Sequence, residues 1–250
     1  GNSGEHDVSI QSANTVINAF NSEYNSKNYH LVCIYIDKSG NFLGANIAKL
    51  ALEKGSGLSE DELSNVNKEK ELESILKKIK CVDIWYPILH GPNGEDGTIQ
   101  GLFTLMRKPF VGSGVLGSAL GMDKLAMKAS FAAAGLPQVS YIHIDANNIK
   151  SSDQISSFIK RIDSQLGFPC FVKPANLGSS VGISKVYNQN ELIKGIELAS
   201  NYDKRIIIEE NVNARELECA VLGKKTMRAS TVGEVNHLSD WYDYETKYSQ

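Results

Sequence analysis

An α/β protein of more than one domain is the fold class that this sequence predicts, and three observations lead there. Strand-like and helix-like periodicities alternate through the first two thirds of the chain. At 250 residues with 42% apolar content, the chain can bury more than one core. A glycine-rich loop at residues 90–97 follows an apolar run, the place where open α/β sheets put their ligands.

Composition excludes several function classes. Lys and Arg number 26 against 29 Asp and Glu, a net charge of −3, so the basic footprint of a nucleic-acid binder is missing. The longest apolar stretches, such as residues 82–89 and 206–208, are too short to cross a bilayer, and no signal peptide precedes them; no membrane partner and a cytoplasmic location are expected. Cys33, Cys81, Cys170 and Cys219 form no C-x-x-C pair and mostly sit in apolar runs, which predicts buried, reduced thiols.

The elements follow in order. Gly1-Asn2-Ser3-Gly4 has loop composition and leads into Ala13, Val16, Phe20 and Tyr24 at helical spacing, with Ser9 or Ser12 as candidate cap. Residues 31–36 predict a strand, 60–80 a charged and mostly exposed helix, 81–89 a buried strand and 99–106 a short helix, together a nucleotide-fold-like domain over residues 1–113. A second unit is expected over 114–204. Its first helix is capped by Asp123, runs through Ala134 and stops at Gly135 and Pro137. Strands at 140–144, 168–173, 183–186 and 205–210 and helices at 155–166 and 191–199 follow. Residues 216–222 alternate with period two before a Gly223-Lys224-Lys225 turn, so an antiparallel sheet opens a third part over 205–250.

Five places carry candidate chemistry. Gly178, Ser179, Ser180 and Gly182 can present N–H and hydroxyl donors to a phosphate, with Lys173 adding positive charge, although no Walker A pattern is present and a plain glycine-rich hairpin reads the same way. The loop His90-Gly91-Pro92-Asn93-Gly94-Glu95-Asp96-Gly97 joins an imidazole to two carboxylates and is equally a tight surface turn. Lys124 stands in the first turn of a helix, where the dipole gives a cation no help; this suits a nearby anion or an ordinary exposed lysine. Glu209 and Glu216 end and begin two strands and suit the donors of a nucleotide if both face one cleft, or water if they do not. Residues 241–248 mix aromatics with charges, as a binding or interface loop does.

Taken together these segments resemble one family, the D-alanine–D-alanine ligases of the ATP-grasp fold. The resemblance rests on Ser3-Gly4-Glu5-His6-Asp7-Val8-Ser9, on His90-Gly91 through Gly94-Glu95-Asp96-Gly97 with Ile99-Gln100-Gly101, and on Gly121-Met122-Asp123-Lys124. It continues through Lys173-Pro174 with Gly178-Ser179-Ser180-Val181-Gly182 and Tyr242-Asp243-Tyr244 with Lys247-Tyr248, in the family's order. It covers the whole chain, with residues 44–80 matching only as a variable insert. It implies a pre-ATP-grasp domain followed by two ATP-grasp subdomains, and joining of two D-alanines through an acylphosphate for peptidoglycan synthesis, with ATP and Mg²⁺ (or Mn²⁺). By that resemblance Glu5, linked with Ser179 and Tyr248, holds the first D-alanine ammonium, and His90 lies beside the reacting substrate. Lys124 and Lys173 contact phosphates under the flap of Gly178, Ser179, Ser180 and Gly182. Glu209 takes the adenine amino group, Glu216 the ribose, and Lys247 approaches the γ-phosphate.

The family also implies a homodimer. Its first strand is expected before Gly1, and its metal-binding acidic residues, asparagine and substrate-binding arginine beyond Gln250. No metal ligands are therefore assigned, and the 250-residue chain alone is expected to turn over poorly or not at all. Residues 242–248 resemble the version of the loop in dipeptide-forming members, which favours D-alanine over D-lactate or D-serine as the incoming substrate. The rival readings are another ATP-grasp carboxylate–amine ligase and a nucleotide-binding remnant without turnover.

Overall fold

The structure, a computed structural model, describes residues 1–148 and 152–236. The chain folds as two compact units. Unit 1 is Gly1–Ser130 with Asn176–Gly178; unit 2 is Phe131–Ala175 with the described residues from Ser179 onward.

Unit 1 opens with α1 (His6–Phe20), which begins before either expected cap. Ser9 and Ser12 lie inside the helix because their hydroxyls are engaged elsewhere, Ser9 Oγ with Glu5 O and His90 N–H and Ser12 Oγ with His90 Nε2. Tyr24 belongs to a separate turn, α2 (Glu23–Ser26). The strand expected over 31–36 is realised only as β1 (Tyr35–Ile36), paired antiparallel with β2 (Phe42–Leu43). Asp37 Oδ1 accepts the N–H groups of Ser39 and Asn41 and so folds the turn that brings β2 back. A strand needs a ladder partner as well as a pattern, and among the described residues 31–34 have none.

The stretch expected as an insert contains a regular helix, α3 (Ala45–Lys54), stopped at Gly55 in the left-handed conformation (φ +73°). Its small residues Ala48 and Ala51 let it approach Ile10, Tyr35, Leu43 and Leu63, and these make the core of this region. α4 (Lys68–Ile79) is shorter than expected. It starts where the Asn67 side chain accepts the Lys70 N–H, while Ser59 and Glu62 bond each other reciprocally in the turns before it.

Residues 81–89 do not form the expected buried strand. Trp85 makes one parallel bridge to Phe110, Pro87 has no N–H to extend it, and Ile84 and Tyr86 are exposed. α5 (Thr98–Leu105) stands close to its expected place, and α6 (Val115–Met122) was not foreseen. Asp123 caps α7 (Lys124–Ala133), its Oδ1 accepting the N–H groups of Leu125 and Ala126, and Gly135 follows at φ +71°.

Unit 2 is built on an antiparallel sheet of order β3-β6-β4-β5, with β3 (Tyr141–Asp145), β4 (Cys170–Pro174), β5 (Ser184–Val186) and β6 (Arg205–Glu210). Ile142, Ile144, Cys170, Val172, Ile206 and Ile208 share one face and pack against Ile159 and Ile162 of α8 (Ser152–Gln165) and Leu192 and Ala199 of α9 (Gln189–Ser200). Strand alternation sends Phe171, Lys173 and Glu209 to the other face. Beyond β6 the period-two pattern gives two exposed antiparallel pairs. β7 (Glu216–Glu218) pairs with β10 (Gly233–Val235), and β8 (Val221–Leu222) with β9 (Arg228–Ala229).

The cysteine expectation holds for Cys170, which is buried, and partly for Cys33. Cys81 and Cys219 are exposed, since the runs that carry them form no buried strand. All four thiols are free, and among the described residues no helix is long and apolar enough to cross a membrane. Ile208 is fully buried at the centre of the unit 2 core. Ile208→Ala is expected to cost about 2–5 kcal/mol through the cavity it leaves; urea unfolding followed by far-UV circular dichroism will read this as a lower midpoint at unchanged slope.

Candidate functional site

In unit 1 the segment before α1 and the loop at residues 90–97 are held together by serine hydroxyls. Ser3 Oγ donates to His90 O at 2.8 Å and accepts the Glu5 N–H at 3.2 Å. Ser9 Oγ donates to Glu5 O at 3.1 Å and accepts the His90 N–H at 2.9 Å. Two of the residues singled out from sequence, Glu5 and His90, are thereby bridged twice through their backbones. Glu5 occupies the N-cap position of α1, yet its side chain makes no cap bond, and only 2% of the residue is exposed. Gly91 is in the left-handed region (φ +78°), and a Cβ there would collide with Glu5 Oε2. Glycine is thus required both by the turn and by the approach of the carboxylate.

The two carboxylates of the loop brace it. Glu95 Oε2 accepts the Gly91 N–H at 2.7 Å, and Asp96 accepts the N–H groups of Asn93 and Thr98 at the start of α5. Burial works against the ionised form of Asp96, but those hydrogen bonds outweigh it and hold its pKa below the ordinary value. His6, the neighbour of Glu5, is 2% exposed and has both ring nitrogens engaged. Its Nδ1 lies 2.7 Å from Gly1 O and its Nε2 2.9 Å from Tyr35 Oη, while Tyr35 Oη also accepts the Leu58 N–H at 3.1 Å. Nδ1 also lies 3.1 Å from the Gly1 amino nitrogen, so the ring is held by the segment before α1 at one nitrogen and by Tyr35 at the other.

Lys124, the first residue of α7, donates to Leu177 O in the glycine-serine loop. A cleft of about 570 Å³ in this unit is lined by Lys124, Gly178, Glu95, Gln100, Ser113 and Ser118 together with apolar side chains. The cleft joins Lys124 and Gly178, both expected at phosphates, to the loop that carries His90.

In unit 2, Lys173 and Glu209 meet on the sheet face turned away from α8 and α9. Register places Glu209 opposite Phe171, two residues from Lys173, so the pair is diagonal across neighbouring antiparallel strands. Lys173 Nζ lies 2.5 Å from Glu209 Oε2 and 5.4 Å from the centre of the Phe171 ring. Glu209 is 8% exposed, so this carboxylate is among the buried charges of the unit. Ser179, Ser180 and Gly182 are all left-handed, at φ +50°, +60° and +70°. A Cβ on Gly182 would meet the Tyr202 ring at 2.7 Å. Glu216, by contrast, stands exposed at the start of β7, in a different environment from Glu209. Lys247 and Tyr248, with the rest of the 241–248 loop, lie outside the described residues.

Sequence reasoning missed the bridging role of Ser3, Ser9 and Ser12. A pair of serines three apart inside an amphipathic helix was the available signal, and it was read as two rival caps. Among the described residues no group of three or more His, Cys, Asp or Glu side chains could hold a metal ion.

Solved structures share this architecture. The D-alanine–D-alanine ligase of Coxiella burnetii aligns with 94% of this chain and 68% of its own at a TM-score of 0.76 and 30% identity. The VanG D-Ala:D-Ser ligase of Enterococcus faecalis aligns with 100% and 71% at 0.70 and 31%. The fold is therefore of the ATP-grasp class, an α/β ligase architecture. Family models narrow the class: residues 1–113 match the D-ala D-ala ligase N-terminus and residues 130–250 the D-ala D-ala ligase C-terminus. Curated relatives named D-alanine–D-alanine ligase are 54% identical in Synechococcus sp. (strain WH7803) and 53% identical in Prochlorococcus marinus (strain MIT 9303). Each of these two alignments spans all of this chain and 71% of the relative. The chain belongs to the D-alanine–D-alanine ligase family.

Burial pulls the His6 pKa below its ordinary 6.5, so the unfolded state binds the proton more readily than the folded one. Stability is expected to be lower at about pH 5.5 than at about pH 7.5, and flat with respect to this group above its unfolded pKa. Denaturant midpoints across that range will show a slope that His6→Gln reduces.

Proposed function

We propose that this protein joins two D-alanine molecules into D-alanyl-D-alanine, an ATP-dependent, ADP-forming carbon–nitrogen ligation that supplies a peptidoglycan precursor. The observation that carries the proposal is the 54% identity, over the whole chain, to a relative named for this reaction. The buried Glu5 held against the His90 loop supports it. ATP supplies the γ-phosphate that converts the first carboxylate into an acylphosphate, a better electrophile for the second amine. The chain's own residues bind, orient and neutralise around that step.

Glu5 takes the ammonium of the first D-alanine, a role suited to a carboxylate held out of water and not spent on capping its helix. His90 lies beside the reacting groups. Lys124 and Lys173 hold phosphate oxygens, with donors from Gly178, Ser179, Ser180 and Gly182, and neutralise charge that grows in the transition state. Ser179 and Tyr248 act with Glu5, and Lys247 at the γ-phosphate, in the same reading. Glu209 accepts from the adenine amino group, a donor that suits a carboxylate at the end of an apolar strand. Glu216 binds the ribose hydroxyls, for which its exposed position leaves access. Mg²⁺ (or Mn²⁺) enters with the phosphates, and no residue of this chain is assigned as its ligand. The division into parts at 1–113, 114–204 and 205–250 belongs to the same proposal.

A D-alanine–D-serine reading is favoured less, because the curated relatives at 54% and 53% identity are named for the D-alanine–D-alanine reaction, well above the 31% shared with the D-Ala:D-Ser ligase. The test is Mg·ATP-dependent phosphate release by the complete reading frame, titrated with D-alanine, D-serine, D-lactate and L-alanine. Release that requires D-alanine and yields the dipeptide is expected, and release indifferent to D-alanine overturns the proposal. In that assay Lys173→Ala is expected to lower kcat about a hundredfold or more. Glu5→Gln is expected to raise the KM for D-alanine by roughly ten- to a hundredfold, the worth of a hydrogen bond to a charged group.

A further inference from the structure

The imidazole of His90 is held by one side chain, and that side chain is one on which the sequence placed no catalytic weight. Its backbone is already fixed, since Ser9 Oγ takes its N–H and Ser3 Oγ binds its carbonyl. What remains free is the ring. Ser12, three residues after Ser9 and so on the same side of α1, places its Oγ 2.9 Å from His90 Nε2. Among the described residues, no hydrogen bond engages Nδ1.

Two readings of the contact exist, with the hydroxyl as donor or as acceptor. Serine and threonine hydroxyls inside a helix usually send their proton to the carbonyl four residues back. Ser9 and Thr15 of α1 do so, to Glu5 O and Gln11 O. Ser12 makes no such bond, so the acceptor in place for its proton is His90 Nε2. A ring that accepts at Nε2 carries its proton on Nδ1.

We infer that Ser12 is a positioning residue for the ligation, holding the His90 ring as the Nδ1–H tautomer with that N–H as the donor offered to an anionic oxygen of the substrate. This rests on the reading that places His90 beside the reacting groups. A carboxylate, or the oxyanion that forms when the second amine attacks, is an acceptor that such a donor fits, and an Nε2–H tautomer would instead present a lone pair there and repel it. Ser12 itself touches no reacting atom. Its effect is on the orientation and protonation of the ring that does.

The test reads the ring directly. Two-bond ¹H–¹⁵N spectra of the complete protein near neutral pH, with the His90 signals assigned by their loss in His90→Gln, report which nitrogen carries the proton. The expected result is a protonated Nδ1 and an unprotonated Nε2 in the parent protein, retained in Ser12→Thr and lost in Ser12→Ala. Alongside it, Ser12→Ala should lower kcat about five- to tenfold with the KM for ATP unchanged, the scale of one neutral hydrogen bond. Ser12→Thr should restore most of that loss, and Ser12→Ala should add nothing in a His90→Gln background. A parent spectrum with the proton on Nε2 overturns the inference even if Ser12→Ala fails to fold, and so does a His90 ring unchanged by Ser12→Ala. If the tautomer is as expected but His90→Gln turns over at the parent rate, His90 is not beside the reacting groups. That result removes the catalytic role while leaving the Ser12–His90 contact standing.

Discussion

A carboxyl side chain kept out of water needs the backbone that carries it fixed in advance, and at Glu5 that task falls to serine hydroxyls. Ser3 and Ser9 each accept from one segment and donate to the other, so the turn before α1 and the loop after residue 89 are bonded twice over. Each such bond contributes only about 1 kcal/mol net, but leaving a buried partner unsatisfied costs more, about 1–3 kcal/mol. The penalty for the wrong register, more than the reward for the right one, holds Glu5 and His90 together. His6 adds a second polar chain on the other side, through Tyr35 to the Leu58 backbone, and ties the residue next to Glu5 into the small core of Ile10, Leu43 and Ala48.

In unit 2 the division of labour is between the two faces of one sheet. α8 and α9 cover the face of Ile206, Ile208, Val172 and Cys170, and the strand period leaves the opposite face to Lys173, Phe171 and Glu209. The apolar face supplies rigidity, and the charged pair rides on it with little freedom to drift. At Gly91, against Glu5, and at Gly182, against Tyr202, the backbone is both left-handed and closely approached, so the position requires glycine.

Much of this was legible in the residues. The helix over Thr98–Leu105, the Asp123 cap, the strand Arg205–Glu210 and the exposed hairpin-like strands after it follow from local spacing and capping chemistry. Where the reading failed, the missing information was the partner. Residues 31–34 and 81–89 have strand composition, yet a strand exists only where another chain segment completes its ladder, and a proline or an exposed face interrupts it. Ala45–Lys54 was passed over because alanines at 48 and 51 carry little pattern of their own; their value lies in how closely they let α3 pack.

The sequence by itself determined the residue types of the site and their order: one carboxylate before a helix, a histidine in a glycine-rich loop, two lysines, a glycine-serine flap and a glutamate closing an apolar strand. Those are local facts of composition and spacing, and the family membership rests on them. Tertiary structure decided which of them act on one another. Ser9 and Ser12 are good caps by their chemistry, and become bridges to His90 because a loop far along the chain offers an N–H and a ring nitrogen at hydrogen-bond distance. Hydrogen bonds between residues so far apart in sequence leave no periodic trace, since the geometry that makes them exists only once the chain has folded.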